Sequence, residues 1–154
     1  MRVGVVSDSH GKTESMLLLA DKLGKVDAWV HLGDFAKDSE SLKGAPVYAV
    51  SGNCDYNNKY ESEQVITLGG VRMFITHGNK YSPTYDRTRL LYRCEELNCS
   101  VVLYGHTHIS LVEYNGGILA LNPGSPSAPR GGRKPSIAVL EIEEKTVMPS
   151  IITA

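Results

Sequence analysis

The chain lacks the cysteine framework of a small secreted domain. Its 154 residues contain only three cysteines, Cys54, Cys94 and Cys99. Three is odd, no CxxC spacing occurs, and a chain of this size can bury a core without covalent staples. Reduced thiols in a cytoplasmic protein are the expectation. Long apolar runs are missing too, so no segment is expected to cross a bilayer. The first apolar stretch, Val3 to Val6, is closed off by Asp8 and is too short to read as a secretory leader. An excess of one charge sign is also missing. Sixteen Lys and Arg stand against seventeen Asp and Glu, a net charge of −1. That balance counts against a basic nucleic-acid stripe and against a polybasic membrane surface. No internal repeat of solenoid period and no low-complexity block is visible.

Hydrophobic residues make up 42% of the chain and charged residues 21%, enough for one packed domain over residues 1–154. Short runs rich in Val, Ile, Tyr and Leu predict strands at Val3–Ser7, Ala28–Leu32, Val47–Ser51, Val71–Thr76, Ser100–Tyr104, Ile118–Leu121, Ser136–Ile142 and Val147–Ile152. Gly69-Gly70 and Asn115-Gly116-Gly117 carry hairpin-turn chemistry. Two helices are expected. Thr13–Leu23 has a stripe of Met16, Leu17, Ala20 and Leu23. Pro83–Leu97 has Leu90, Leu91, Cys94 and Leu97, with Ser82 as cap. A shorter helix is expected around Lys37–Leu42. The stretch Asn122–Pro135 is rich in Pro, Gly and Ser and reads as a loop. Early strands are expected to pair in parallel and later hairpins antiparallel. The result is an α/β domain with two sheets or one bent sheet and helices outside.

One pattern recurs. Apolar strands run into polar clusters: Asp8-Ser9-His10, Gly33-Asp34, Gly52-Asn53-Cys54-Asp55, His77-Gly78, Gly105-His106-Thr107-His108 and Asn122-Pro123-Gly124-Ser125. The carboxyl ends of parallel strands share one edge of a sheet, where sites form, so these clusters are expected to meet in one crevice. Glycine beside a ligand lets the backbone turn sharply and approach closely. The residue types are Asp, His and Asn, with no thiolate set. They suit Mn, Fe, Co, Ni or Zn in mixed N/O coordination, not an iron–sulfur cluster or a four-cysteine zinc site. Asp8 with His10, and His106 with His108, are two apart and in extended backbone would point to one side. Each motif alone is weak: Gly-Asp and Gly-Asn are ordinary turns, and a lone strand-end histidine is usually structural. Five of them in strand context point to a metal site.

The ordered set Asp-x-His, Gly-Asp, Gly-Asn-x-Asp, His-Gly and Gly-His-Thr-His resembles the calcineurin-like metallophosphoesterase superfamily, in particular its small phosphodiesterase branch. The resemblance extends from Val3 to the final strands. It implies a four-layer αββα sandwich, two mixed β-sheets flanked by helices. It implies two divalent metal ions, manganese first among the candidates. One would be held by Asp8, His10, Asp34 and His108. The other would be held by Asp34, Asn53, His77 and His106, with Asp34 bridging. Asp34, Asn53 and His77 would be the catalytic set. The implied activity is hydrolysis of a small phosphoester by a metal-activated hydroxide. Two divalent ions bring about +4 and two aspartates remove about 2, leaving positive charge for an anionic substrate.

The alternatives are a protein-binding scaffold of the same fold, as a retromer subunit is, and a nuclease using the same site; the net charge counts against the latter. Homo-oligomerisation stays open. Cys54 departs from the family pattern, which often has histidine there to protonate the leaving group, so esters with good leaving groups should be favoured. Cys54 itself reads as packing. Arg130 and Arg133 read equally as phosphate ligands or as solvated loop charges. His31 reads as structural, Asp55 as orienting a neighbour, and Thr107 and Ser125 as hydrogen-bonding supports.

Overall fold

The computed structural model describes residues 1–56 and 59–154. Two five-stranded sheets form. The first holds β1 (Arg2–Val6), β2 (Ala28–His31), β3 (Val47–Ala49), β9 (Ser136–Glu143) and β10 (Thr146–Thr153), in the order β10-β9-β1-β2-β3. The second holds β4 (Glu63–Leu68), β5 (Val71–Thr76), β6 (Val101–Leu103), β7 (Leu111–Asn115) and β8 (Ile118–Asn122), in the order β4-β5-β6-β8-β7. Both sheets are mixed. β1, β2 and β3 run parallel, with β9 antiparallel to β1. β5, β6 and β8 run parallel, with hairpin partners β4 and β7 antiparallel.

The layers follow from which residues alternate to which face. Val3 and Val5 of β1, Met73 and Ile75 of β5, and Ala138 and Leu140 of β9 meet between the sheets. Val6 and Val139, on the opposite faces of their strands, turn outward beneath α1 (Thr13–Leu23). Phe74 and Val102 turn outward beneath α2 (Thr88–Glu96). Strands buried on both faces read as unbroken apolar runs, which is why they were visible in the sequence. Each fully buried apolar side chain contributes ~1.5–3 kcal/mol. The order helix, sheet, sheet, helix is the αββα sandwich expected.

Several elements differ from expectation. Parallel pairing is not confined to the early strands, since β5, β6 and β8 share it. β4 and β7 are edge strands marked in the sequence only by their hairpin turns, since each has no apolar run longer than the pairs Val65-Ile66 and Leu111-Val112. On α1 the buried residues are Met16, Leu19 and Leu23, an i, i+3, i+7 stripe, while Leu17 is 39% exposed. α2 starts at Thr88 instead of Pro83. Ser82 sits in left-handed backbone (φ 46°) and closes the 3₁₀ turn Asn79–Tyr81 instead of capping α2, while the Asp86 carboxylate accepts from Thr88 N–H at 3.0 Å and starts the helix there. The short helix near Lys37 is a 3₁₀ turn, Ala36–Ser41. Among the described residues no helix is long and apolar enough to cross a membrane.

Candidate metal centre

The parallel strands of both sheets deliver their C-terminal loops to one place. His77, after β5, donates from Nδ1 to the carbonyl of Leu32, after β2, at 2.7 Å, which fastens one sheet's loop to the other's. Asp8 N–H donates to Gly33 O, Gly105 N–H to His77 O, and His106 N–H to the Asp8 carboxylate at 3.0 Å. All seven expected site residues come together.

Asp8, His10, Asp34 and His108 each offer a ligand atom, and these atoms lie within 4.8 Å of one another. His10 Nε2 is 3.4 Å from Asp34 Oδ2 and 3.3 Å from His108 Nε2. His108 Nε2 is 3.3 Å from Asp8 Oδ1. The second group adjoins it. His77 Nε2 is 3.4 Å from Asp34 Oδ1, the other oxygen of the same carboxylate. His106 Nδ1 meets Asn53 Oδ1 at 3.1 Å, and its ring packs edge-on to His77 with centroids 5.3 Å apart. Asp34 therefore stands between the two groups.

The pairs Asp8/His10 and His106/His108 converge for a different reason from the one expected. Their backbone is not extended. Asp8 (φ 55°), His10 (φ 50°), Asp34 (φ 57°), His106 (φ 73°) and His108 (φ 61°) all occupy the left-handed region. Non-glycine residues pay of order 1 kcal/mol or more for that geometry, and such strain gathers where a side chain must be aimed. Two glycines are required by close approach. A Cβ on Gly52 would collide with Asp34 Oδ1 and the His77 ring, and one on Gly105 would collide with Ser7 Oγ and Asp8 Oδ2.

His77 and His108 each give their Nδ1 proton to a carbonyl, Leu32 O and Ala128 O, both at 2.7 Å. In the neutral ring that leaves a bare Nε2 lone pair aimed inward. Among the described residues, Asp8 Oδ1 and His77 Nε2 are the buried side-chain polar atoms without a hydrogen-bond partner, and they face each other at 3.7 Å. Two buried acceptors turned toward one another cost several kcal/mol unless a proton or a cation lies between them. The donor set fits a divalent ion of mixed N/O preference.

The electrostatics agree. Burial would raise the Asp8 carboxyl, but the neighbouring His10, His108 and His77 rings and the Ser7 hydroxyl outweigh it, holding Asp8 far below the usual carboxylate range. Burial likewise opposes ionisation of Asp34, and His77 overcomes it. Asp8 holds the His10 ring above its ordinary value. Burial would lower His77, yet Asp34 and Asp8 raise it. His106 is lowered, chiefly by burial. Cations entering the site displace the protons that His10 and His77 favour, so affinity is expected to fall as pH falls.

The supporting shell is dense. Ser7 Oγ donates to Asp8 Oδ2 at 2.7 Å and Ser125 Oγ to Asp8 O at 2.8 Å. Asn122 Nδ2 bridges Gly105 O and Thr107 Oγ1, fixing the loop between the paired histidines. Asp55 accepts four backbone N–H groups, as expected of an orienting residue. Cys54 N–H donates to Asp34 Oδ1, while burial and Asp34 push its thiol pKa up and keep it neutral. Arg130 N–H donates to His108 O, and Arg133 Nε to Ser110 O; both side chains are solvent-exposed. Tyr56 and Tyr85 project into solvent, and Tyr81 donates to Glu63.

His31 is fully buried and structural. Ser9 Oγ donates to Asp38 Oδ2 at 2.6 Å and lies 2.9 Å from His31 Nε2, whose other nitrogen accepts from Gly33 N–H. The serine sits in the middle of this array with its proton on the aspartate, so it locks the Asp8–His10 loop and is no nucleophile. Ser9 and Asp38 were not anticipated; no spacing links them. Burial drives the His31 pKa down from 6.5 to about 4. The unfolded chain therefore binds a proton between those values that the fold refuses. Stability from this group is full above about pH 6.5 and falls as pH drops toward 4, by on the order of 3 kcal/mol. Urea unfolding in chelator at pH 5 and 7.5 is expected to show a steeper loss in the parent than in His31→Asn; equal slopes contradict it.

A cleft of about 570 Å³ lies elsewhere, between α1 and the residues around Leu42, with an apolar floor of Val26, Trp29 and Leu42 and no histidine in its lining.

Residues 1–145 match the calcineurin-like phosphoesterase superfamily domain. The chain is 35% identical over 144 residues to the probable metallophosphoesterase YsnB of Bacillus subtilis (strain 168), covering 93% of this chain and 85% of that protein. It is 32% identical over 178 residues to the phosphodiesterase YfcE of Escherichia coli (strain K12), covering 96% and 91%. A crystal structure from Streptococcus pneumoniae TIGR4, described as a predicted phosphoesterase, superposes with a TM-score of 0.83 at 33% identity over 99% of this chain and 88% of that one. The chain belongs to the calcineurin-like phosphoesterase superfamily.

Proposed function

We propose that this chain, acting as one domain over residues 1–154, is a dinuclear-metal phosphodiesterase of the cytoplasm. The observation that carries the proposal is the pair of buried, partnerless acceptors, Asp8 Oδ1 and His77 Nε2, facing each other beside Asp34. One ion would be held by Asp8, His10, Asp34 and His108, and a second by Asp34, Asn53, His77 and His106. Manganese is the first metal to test, and Ni, Fe, Co or Zn suit the same donors. The free thiols of Cys54, Cys94 and Cys99 support a reducing compartment.

Bound divalent ions supply Lewis acidity, making water a stronger acid and stabilising charge on phosphoryl oxygens. The chain's own residues do the rest. Leu32 O and Ala128 O hold the rings of His77 and His108 in one tautomer and one orientation. Asp34 gives one oxygen to each group of ligands. Asn53 and His106, less buried, face the open side and position the phosphoester. Neutral His and Asn donors leave net positive charge for an anionic substrate, which more carboxylates would repel.

Manganese-loaded protein is expected to hydrolyse bis(p-nitrophenyl) phosphate, and chelation to abolish the turnover. Metal binding without turnover on a phosphoester panel would favour the scaffold reading. The neutral Cys54 thiol is a weak proton donor to the leaving group. Turnover should therefore fall steeply as the leaving group's pKa rises. Cys54→His is expected to flatten that slope and speed alkyl esters by about tenfold or more; an unchanged slope contradicts the assignment.

A further inference from the structure

Phe35, immediately after Asp34, is 41% exposed. Its ring lies tilted against His10 with centroids 5.7 Å apart. Its backbone is left-handed (φ 70°), directly following left-handed Asp34 (φ 57°). That region is a true outlier for a bulky side chain. Glycine or asparagine would hold the same turn at lower cost. The turn is enforced from outside, since Asp55 Oδ1 accepts both Phe35 N–H and Ala36 N–H at 2.9 Å. Packing accounts for part of the ring only: one edge rests near Gly11, where a Cβ would come within 3.0 Å of Cδ2 and Cε2. The rest of the ring faces solvent beside His10, itself on the open side of the centre with 27% of its side chain exposed. A strained, exposed aromatic face at the rim of a polar site, with no polar atom of its own, has the chemistry of a stacking surface.

We propose that Phe35 is a specificity-determining residue that stacks on an aromatic substituent of the phosphoester, so that the substrate class is an aryl or nucleobase-bearing ester and not a simple alkyl one. This rests on the phosphoesterase reading above. It concerns the organic group only; the phosphoryl group lies with the residues already described.

Equilibrium binding separates the two. Phenylphosphonate and methylphosphonate carry the same anionic head and differ in the group Phe35 would meet. Calorimetry on the manganese-loaded protein is expected to show phenylphosphonate binding about tenfold tighter, a difference of 1.4 kcal/mol. In Phe35→Ala the ratio should collapse to about one, and in Phe35→Trp it should return. Phe35→Leu, apolar without a ring, should restore less than half of it. A ratio that persists in Phe35→Ala overturns the proposal, as does a wild-type ratio of one. If neither phosphonate binds the wild-type protein, or binding survives chelation, the phosphoesterase reading itself falls and takes this proposal with it.

Discussion

Asp34→Ala is expected to lower manganese-dependent hydrolysis of bis(p-nitrophenyl) phosphate by about 10³-fold or more, with the circular-dichroism spectrum unchanged. The carboxylate is shared: Oδ1 lies 3.4 Å from His77 Nε2 and Oδ2 lies 3.4 Å from His10 Nε2. Removing it takes a donor from both groups of ligands and leaves Cys54 N–H without its acceptor. His77→Ala should be nearly as severe. It also frees Leu32 O, but that carbonyl can be satisfied by water in the cavity left behind. The double variant should be scarcely worse than Asp34→Ala, because residues acting as one unit are not additive. Unchanged turnover in both single variants contradicts the mechanism.

The second large effect is expected at Asp55, which touches no ligand side chain. Its Oδ2 accepts from Asp34 N–H at 2.9 Å and Gly52 N–H at 2.7 Å; its Oδ1 accepts from Phe35 N–H and Ala36 N–H, both at 2.9 Å. One carboxylate thus ties the turn bearing Asp34 to the turn bearing Asn53 and satisfies the amides of two consecutive left-handed residues. In Asp55→Asn the amide NH₂ would confront backbone N–H donors, replacing two attractions with two repulsions. Manganese affinity is expected to fall about 10–100-fold. Calorimetric titration reads it directly, and Asp55→Ala should lie on the same side. Affinity equal to wild type would mean that the loops are held by packing alone.

The contrast between Asp34 and Asp55 shows what was legible in the sequence. The ligands were readable because each follows a conspicuous apolar run, and a strand's end is a local signal. The sandwich was readable for the same reason: β1, β2, β5, β6 and β9 are buried on both faces. Asp55 was readable only in outline, since its four partners come from two turns that meet in space. β4 and β7 were marked only by their hairpin turns, because an edge strand with one wet face has no long apolar run to announce it. The left-handed backbone at five of the seven site residues was not readable at all. Asp and His adopt φ > 0 more often than most residues but still only in a small minority of cases, so their identity alone does not mark it. Phe35 is the sharpest case. Its residue type argues against the conformation it adopts, and only the clamp from Asp55 makes that conformation affordable.

The central claim is that two cations sit among these seven side chains. A crystal grown with manganese, measured at the manganese absorption edge, tests it most directly through the anomalous difference map. The expected result is two peaks. One is surrounded by Asp8, His10, Asp34 and His108, the other by Asp34, Asn53, His77 and His106, with Asp34 touching both. Peaks elsewhere, or none at these residues in manganese-saturated crystals, would contradict it.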